Sequence, residues 1–245
     1  MSGTTPPGAK TEQQAAAWVR DMFGQVAPRY DLLNHLLSFN ADKRWRKKTV
    51  ARVRDVLRRP GACVIDLCCG TGDLMLELAA ESSGAHIWGS DFCHPMLVEA
   101  DRKARRAGAT APVFEADALR LPVRDASLDL ITIAFGFRNL ANYETGLLEL
   151  RRVLQPGGIL AILEFSQPPN AAFAHLYDWY SRSILPRIGA AISGAGEAYT
   201  YLPESVRKFP DADGLAAMMK AAGFAEVQFE RMTFGVVALH TGRVR

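Results

Sequence analysis

One short segment of the chain combines a strand, a turn and the start of a helix: Val64-Ile65-Asp66-Leu67-Cys68-Cys69-Gly70-Thr71-Gly72-Asp73. An apolar strand ends here in an acidic residue, and a turn with two glycines then opens a helix. In a doubly wound α/β sheet, a nucleotide-like ligand lies at the carboxyl end of this first strand. Glycine has no Cβ, so the backbone of the turn can approach such a ligand closely. A tight turn that needs glycine for its geometry alone is the alternative interpretation.

Apolar runs and helix-like stretches alternate around this segment. The runs predict five strands, at Cys63–Cys68, His86–Ser90, Pro112–Glu115, Leu128–Ala134 and Ile159–Phe165. The stretches between them predict helices at Leu74–Ala80, Pro95–Ala107 and Tyr143–Leu154. This alternation favours parallel βαβ units with right-handed crossovers, and therefore an α/β, Rossmann-like sheet with helices on both faces. Met75 occupies the place of the third glycine of a dinucleotide-binding turn, which disfavours that ligand.

The flanking regions predict a single domain with added helices. A helical pattern from Glu12 to Leu37 is interrupted at Pro28, and a further helix is expected over Asp42–Arg58. A helix near Asp213–Ala222 and strands near Glu226–Phe234 and Val236–His240 close the chain. We therefore expect a disordered tail (residues 1–11) and one domain (12–245), divided into a helical lid (12–59), a cofactor-binding core (60–170), a substrate-side insertion (171–210) and a closing helix with two strands (211–245).

Composition limits the class of protein. The chain has 245 residues, 49% of them apolar and 22% charged, with a net charge of +3. These values exclude a disordered chain and a disulfide-rich miniprotein.

No apolar run is long enough for a membrane span, and Pro6-Pro7-Gly8 stands where a signal peptide would be apolar, so we expect a cytoplasmic protein. The cysteines form no C-x-x-C pair and have no suitably spaced histidine, so we expect buried, reduced thiols and no metal site.

Two further acidic positions follow the predicted second and third strands. Asp91 lies 21 residues after Gly70, where a carboxylate accepts hydrogen bonds from a ribose diol. Helix capping before Pro95 is the alternative, and it is compatible with a ligand contact. Asp117 and Ala118 follow the third strand, where a carboxylate beside a backbone N–H could bind adenine. Taken alone, that loop could equally be a solvated one.

These features resemble the class I S-adenosylmethionine-dependent methyltransferases, and more narrowly the ubiquinone/menaquinone biosynthesis C-methyltransferases. The resemblance rests on motifs spread from about Val19 to Gly242: Phe23-x-x-Val26-Ala27-Pro28-Arg29-Tyr30-Asp31-x-x-Asn34, the segment from Asp66 to Asp73, Phe135-Gly136-x-Arg138-Asn139, Leu154-Gln155-Pro156-Gly157-Gly158, Leu163-Glu164-Phe165-Ser166, Leu185-Pro186-x-Ile188-Gly189, Tyr201-Leu202-x-Glu204-Ser205 and Gly235-Val236-Val237-Ala238-x-His240. It implies a seven-stranded methyltransferase sheet, with a helical lid and an insertion before the last two strands.

The resemblance also implies roles for individual residues. Thr71 would contact the methionine end of S-adenosylmethionine, Asp91 would hold its ribose, and Asp117 with the Ala118 backbone would hold its adenine. Asp66, Gly70 and Gly72 would complete this cofactor site. Ala134 departs from the serine that many proteobacterial relatives have, so a side-chain contact from that position is in doubt.

The implied reaction is methyl transfer to a ring carbon of a quinol, which requires a stabilised phenolate. Arg138 is expected to stabilise the phenolate beside Asn139, since a guanidinium is a poor proton acceptor. An ion pair between Arg138 and Glu164 is the alternative, and both interpretations can hold. Tyr30, Asp31 and Asn34 are assigned to the lid; Asp31 is a candidate base, with helix capping or a surface role as equal alternatives.

The insertion is rich in aromatic residues that could line a pocket for a prenylated ring or simply pack on the sheet: Phe173, Tyr177, Trp179, Tyr180, Tyr199 and Tyr201. Residues 42–59 carry nine Lys or Arg and two acidic residues. A solvated helix face, contact with an anionic membrane surface and nucleic-acid binding are the three interpretations of that charge.

The most specific prediction concerns the quinol that accepts the methyl group. Tyr201–Val206 and Lys208–Pro210 resemble the members that act only in menaquinone synthesis, so demethylmenaquinol is favoured over a polyprenyl benzoquinol. A nucleic-acid methyltransferase is disfavoured, because Phe135–Asn139 lacks the Asn/Asp-Pro-Pro-aromatic sequence of the amino-directed members. The resemblance therefore implies a quinol substrate and no nucleic-acid partner. It also implies a cytoplasmic enzyme that contacts the inner face of the membrane transiently. A homodimer is compatible with the sequence, which does not determine the oligomeric state.

Overall fold

The computed structural model describes residues 3–27, 30–31, 35, 38–183 and 196–245. In this part of the chain, seven strands form one sheet: β1 (Cys63–Leu67), β2 (His86–Asp91), β3 (Val113–Glu115), β4 (Leu128–Ala134), β5 (Leu154–Phe165), β6 (Ala225–Met232) and β7 (Val237–Arg243). The helices are α1 (Glu12–Val26), α2 (Ala41–Leu57), α3 (Asp73–Glu81), α4 (His94–Ala107), α5 (Tyr143–Val153), α6 (Ala171–Ser183), α7 (Gly196–Lys208) and α8 (Ala212–Ala221).

The strand order is β3-β2-β1-β4-β5-β7-β6. Strands β1 to β5 are parallel, whereas β7 runs antiparallel to both β5 and β6. The predicted α/β sheet is therefore confirmed. Between β1 and β4 the order of the strands reverses, and in such sheets ligands bind in the crevice at the carboxyl ends of the strands around that point.

Both faces of the central strands are buried, as the apolar composition of parallel strands requires. On one face, Ile131 and Ile133 of β4 pack with Leu147 and Leu150 of α5. On the other face, the core includes residues of β1, α2 and α3, together with the start of β7. The sheet is thus a rigid, two-sided support for the turns at its carboxyl edge.

Strand β5 begins five residues earlier than predicted. Leu154 pairs with Leu128, and the register then shifts before Leu130 pairs with Ile159. The sequence pattern misses this extension because Pro156, Gly157 and Gly158 are typical of a turn. The other strand and helix predictions agree with the structure to within about two residues at most ends, which is the usual spread of such boundaries.

The segment before α1 differs from the disordered tail that the sequence predicts. Thr4 is 4% exposed, and its backbone N–H donates to the carbonyl of Leu140 over 2.8 Å. Lys208 Nζ donates to the carbonyl of Thr5 over 3.2 Å. The segment contains no apolar period that could reveal this packing, since its contacts are made by backbone and hydroxyl groups.

Several predictions fall on residues outside the described ranges. Asn34, the leucines at positions 32, 33, 36 and 37 of the predicted lid helix and the motif at Leu185–Gly189 are among them, as is the side chain of Tyr199. The division into lid, core and insertion stays a prediction. Within the described residues, no helix is both long and apolar enough to cross a membrane.

The four cysteines are free thiols. Cys93 is buried, and burial also raises the pKa of the Cys68 and Cys69 thiols although those residues are partly exposed. Cys63 is partly exposed as well, which corrects the expectation of four buried thiols. Cys68 and Cys69 belong to the glycine turn after β1, and a turn that faces a crevice cannot be covered as completely as a core strand.

Candidate active site

Two adjoining spaces lie at the carboxyl edge of the sheet. The polar cleft is named for its two carboxylates, Asp91 and Asp117, although most of its wall is apolar; Gly70, Ala118 and Asn139 also line it. The aromatic cavity has a volume of about 390 Å³, and its walls include Trp45, Phe135, Arg138, Phe165, Phe173, Tyr177 and Tyr201. Phe23, Tyr30 and Phe135 line both spaces and so mark the junction between them.

Asp91 links the first two turns of the sheet. Its Oδ2 accepts the N–H of Gly70 and its Oδ1 accepts the N–H of Cys93, each over 2.9 Å. Burial raises the pKa of Asp91, and these backbone N–H groups oppose that shift. The carboxylate thus holds the glycine turn and the start of α4 together, and it also forms part of the wall of the polar cleft.

Asp117 and Ala118 lie in the same cleft, as the sequence predicts. Asp117 Oδ1 accepts the N–H of Leu119 over 2.9 Å, which fixes the loop after β3. The carbonyl of Asp91 accepts the N–H of Ala116 over 3.0 Å. That bond joins the two loops, so the candidate ribose and adenine positions share one side of the cleft.

Asp66 is buried behind the glycine turn. Its Oδ1 accepts the hydroxyl of Thr132 over 2.6 Å, whereas Oδ2 makes no well-formed hydrogen bond with the described residues. Burial raises the pKa of Asp66 to about 7, although the Thr132 hydroxyl opposes this shift. A buried carboxylate oxygen without a donor is costly. Asp66 itself does not line the polar cleft, and the backbone N–H of Met75 also opposes the rise in its pKa. The carboxylates that do line the cleft, Asp91 and Asp117, lie beside the glycine turn, a combination that fits a nucleoside-type cofactor.

Gly70 and Gly72 both adopt a positive φ, of 54° and 84°. The left-handed conformation at Gly72 lets the chain turn directly into α3, for which it is the N-cap residue. Cys68 in the same turn also has a positive φ, of 53°, although it is not glycine. This conformation is sterically costly for a residue with a Cβ, and such backbone strain is found near ligand sites.

Thr71 and Asp31 lie together, close to the glycine turn. The Thr71 hydroxyl donates to Asp31 Oδ1, and Lys103 Nζ donates to Asp31 Oδ2 over 2.7 Å. Lys103 also donates to Asp73 at the start of α3. The structure thus places Asp31 in an ion pair that ties the lid segment to the turn. Sequence reasoning missed Lys103, because nothing in the α4 pattern distinguishes it from its surface neighbours.

Arg138 forms the ion pair that the sequence offered as the alternative. Its Nη1 donates to Glu164 Oε1 over 2.9 Å and also to the carbonyl of Phe135, while its backbone N–H donates to Glu164 Oε2 over 3.1 Å. Burial alone would lower the pKa of Arg138, but the Glu164 carboxylate together with Tyr30 and Tyr201 outweighs burial, so the pKa is raised. Nη2 has no hydrogen bond to a described residue, so a charged donor remains at the wall of the aromatic cavity.

The basic residues of α2 divide into two groups. Arg46 is buried and pairs with Asp42, Asp73 and Glu77, which fastens α2 to α3. By contrast, four basic residues are exposed and form no ion pair with a described residue: Lys43, Arg44, Lys47 and Arg52. His35, Asp42 and Asp73 also cluster, but Arg46 already pairs with both carboxylates there.

A model of the ubiE/COQ5 methyltransferase family matches residues 9–244. The chain belongs to that family. The demethylmenaquinone methyltransferase of Thermus thermophilus is 52% identical over 221 residues, which cover 90% of this chain and 99% of that protein. The protein of the same name from Deinococcus radiodurans is 43% identical over 245 residues, covering 100% of both chains. A ubiquinone/menaquinone biosynthesis C-methyltransferase UbiE from Syntrophotalea carbinolica is 43% identical over 223 residues, covering 91% of this chain and 92% of that protein.

Solved structures agree on the fold. The [4+2]-cyclase SpnF superposes with a TM-score of 0.69 at 18% identity, covering 100% of this chain and 99% of that one. A SAM-dependent methyltransferase from Aquifex aeolicus gives a TM-score of 0.57 at 18% identity, covering 80% and 89%. The family assignment and this fold make the protein a methyltransferase with the Rossmann-like α/β sheet that the sequence predicts.

Proposed function

We propose that this protein transfers a methyl group from S-adenosylmethionine to a ring carbon of demethylmenaquinol, giving menaquinol. The observation that carries the proposal is the junction of the two spaces. There a polar cleft with two fixed carboxylates, Asp91 and Asp117, meets a large aromatic cavity that contains a buried arginine. Such a pair of spaces fits a polar nucleoside on one side and an apolar ring with its prenyl tail on the other.

The cofactor side is assigned to the polar cleft and to the adjoining glycine turn, whose Thr71 and Gly72 do not line the cleft. Asp91 would hold the ribose hydroxyls, Asp117 with the Ala118 backbone would hold adenine, and Thr71 would contact the methionine end beside Gly70 and Gly72. Asp66 would support the glycine turn from behind, where it accepts the Thr132 hydroxyl. When bound, S-adenosylmethionine supplies an electrophilic methyl group.

The substrate side must align a ring carbon and stabilise a phenolate. We assign Arg138 to the phenolate, because its guanidinium stays charged and its Nη2 is not engaged by a described residue. Tyr30 covers the turn, with its Cε1 3.8 Å from where a Cβ on Gly70 would lie, and with Phe23 it would exclude water from the junction. Asp31 is held by Thr71 and Lys103, so we assign it to the lid contact and not to proton removal.

A polyprenyl benzoquinol is the second candidate acceptor, because relatives with both names match the chain over more than nine-tenths of its length. The 52% identity to a demethylmenaquinone methyltransferase favours the naphthoquinol. The test is a direct competition: the purified protein receives labelled S-adenosylmethionine and equal amounts of short-chain demethylmenaquinol and the matching benzoquinol. We expect a higher kcat/KM for the naphthoquinol, and a preference for the benzoquinol would reverse the assignment.

We also propose that the enzyme contacts an anionic membrane surface around the mouth of the aromatic cavity. Phe39 and Phe234 are 76% and 78% exposed, although each has a strained positive φ, of 51° and 56°. The Phe39 ring lies 6.3 Å from Tyr180, and the Phe234 ring lies 5.1 Å from Phe173, which lines the cavity. Strained backbone that holds aromatic rings in solvent supports a contact surface. The exposed basic residues of α2 would add attraction to anionic headgroups.

A further inference from the structure

Asn139 presents an unused donor to the polar cleft. Its Oδ1 accepts the hydroxyl of Tyr201 over 3.0 Å, and its backbone N–H donates to the carbonyl of Gly136 over 3.1 Å. Its Nδ2 has no hydrogen-bond partner among the described residues, although Asn139 is buried and lines the cleft. An amide nitrogen is a donor only. The side chain therefore offers N–H groups, and not a carbonyl oxygen, to whatever lies beside it.

The orientation of this amide depends on Tyr201 and, through it, on Thr4. Tyr201 has a single hydroxyl hydrogen, which it gives to Asn139. Thr4 Oγ1 lies 2.6 Å from the Tyr201 hydroxyl oxygen, so in this contact Thr4 must be the donor. The bonds thus run in one direction, from Thr4 to Tyr201 to Asn139, and all three side chains are buried.

Thr4 is held firmly in place. Its backbone N–H donates to the carbonyl of Leu140. At the preceding residue, Gly3, an added Cβ would lie 2.2 Å from the carbonyl oxygen of Ala141. Only glycine allows that approach. Leu140 and Ala141 line the polar cleft directly after Asn139, so the N-terminal segment braces the wall that carries the amide. Thr4 also lies before residue 9, where the match to the family model begins.

We propose that Thr4 is a positioning residue for methyl transfer: it keeps the Asn139 amide turned so that Nδ2 donates to the ring oxygen that becomes a phenolate. The inference rests on the proposed function, since it assumes a quinol at the junction of the two spaces. Without Thr4, the buried Tyr201 oxygen loses the donor that fixes its position, and the hydrogen bond from Tyr201 to Asn139 Oδ1 loses its alignment. The amide is then free to rotate and present Oδ1, an acceptor that repels a phenolate.

The test compares two neighbouring threonines. Thr4→Val removes the donor to Tyr201, whereas Thr5→Val removes only a hydroxyl that accepts from Lys208 Nζ over 3.2 Å near the surface. For a short-chain quinol we expect Thr4→Val to lower kcat/KM about three- to tenfold, as expected for one hydrogen bond. The acid limb of the pH–rate profile of Thr4→Val should move to higher pH, because the phenolate loses the hydrogen bond from the Asn139 amide. Thr5→Val should match the wild type, and Thr4→Ser should restore both quantities.

Cofactor affinity decides which ligand the amide serves. We expect calorimetry to give the same S-adenosylmethionine Kd for wild type and Thr4→Val. A weaker Kd in Thr4→Val would assign the donor to the cofactor and overturn the inference. An unmoved pH profile, or a loss equal to that of Thr5→Val, would overturn it as well.

Tyr201→Phe provides a second route if Thr4→Val does not fold. It removes the donor to Asn139 directly, so it should shift the acid limb in the same direction, and adding Thr4→Val to it should shift the limb no further. An additive effect would contradict the relay. A wild-type protein that methylates no quinol at all would instead refute the proposed function, which keeps the two failures distinct.

Discussion

Single residues at the ends of β1 and β2 set the electrostatics of the polar cleft. Asp91 and Asp66 are both buried carboxylates with raised pKa values, but their surroundings differ. Two backbone N–H groups hold Asp91 in place, whereas Asp66 has one hydroxyl donor and one oxygen without a well-formed bond. Asp91 is therefore suited to bind a diol in a fixed position, and Asp66 responds more strongly to pH.

Removing the Asp91 carboxylate should weaken cofactor binding. Asp91→Ala loses the acceptors for the ribose and the bond that holds Gly70, so we expect a loss of about 1.5–3 kcal/mol, or roughly tenfold to a hundredfold or more in Kd. Calorimetric titration with S-adenosylmethionine measures the change. Glu115→Ala is the matched control, since Glu115 is exposed at the end of the next strand and pairs with His94. Equal Kd values for the two variants would remove Asp91 from the site.

Asp66 should make the stability of the cofactor-free protein fall as pH rises. The folded state holds this proton up to about pH 7, whereas the unfolded chain releases it near pH 4. Folded protein therefore binds more protons between these values, and the free energy of unfolding declines through that range, by at most on the order of 4 kcal/mol. Urea titrations from pH 5 to 8 should show this decline, and Asp66→Asn should flatten it. Parallel curves for the two proteins would contradict the assignment.

At the scale of elements, alternation of apolar and helical patterns was sufficient to predict the sheet, because βαβ units allow few arrangements. The acidic ends of β1 and β2 were predictable for the same reason, since carboxyl ends of parallel strands meet at one edge. The Thr4 contact and the early start of β5 were not predictable. Both depend on backbone groups whose partners lie far away in the sequence, so no local pattern of apolar residues indicates them.

Gly136 tests how closely the turns after β1 and β4 must approach. A Cβ on Gly136 would lie 2.3 Å from the Cβ of Cys68, so Gly136→Ala must push the two turns apart. We expect a loss of about 1–3 kcal/mol in the free energy of unfolding, typical of overpacking. Gly24→Ala in α1 is the control, because its Cβ would make an ordinary contact, 3.8 Å from Pro95, and should stabilise the helix by about 1 kcal/mol. A loss of similar size at both positions would contradict the close contact.

For the whole molecule, the aromatic rings and the basic face around the cavity mouth should act together on a membrane. Phe39→Ser with Phe234→Ser should weaken binding to anionic vesicles at any salt concentration, because the loss is apolar. Neutralising Lys43, Arg44 and Lys47 should weaken it mainly at low salt, at about 1 kcal/mol per charge near the surface. Leu148→Ser is the control, since Leu148 is exposed on α5, which packs on the opposite face of the sheet.

Turnover separates this membrane role from damage to the site. A water-soluble, short-chain quinol should react at nearly the wild-type rate in both sets of variants, whereas a long-chain quinol in vesicles should react more slowly. If both substrates slow equally, the changes act on the fold, and the membrane contact is wrong.

Methylation of a quinone ring by this chain is tested most directly by product analysis. The purified protein is incubated with methyl-labelled S-adenosylmethionine and a lipid extract from cells that lack the final methylation step, and the quinones are resolved by mass spectrometry. We predict that demethylmenaquinone alone gains one methyl group in place of a ring hydrogen, about 14 mass units plus the added mass of the label, and that fragmentation places the label on the naphthoquinone ring. Label on an oxygen, on a nucleic acid or protein in the extract, or on no quinone at all would contradict the account.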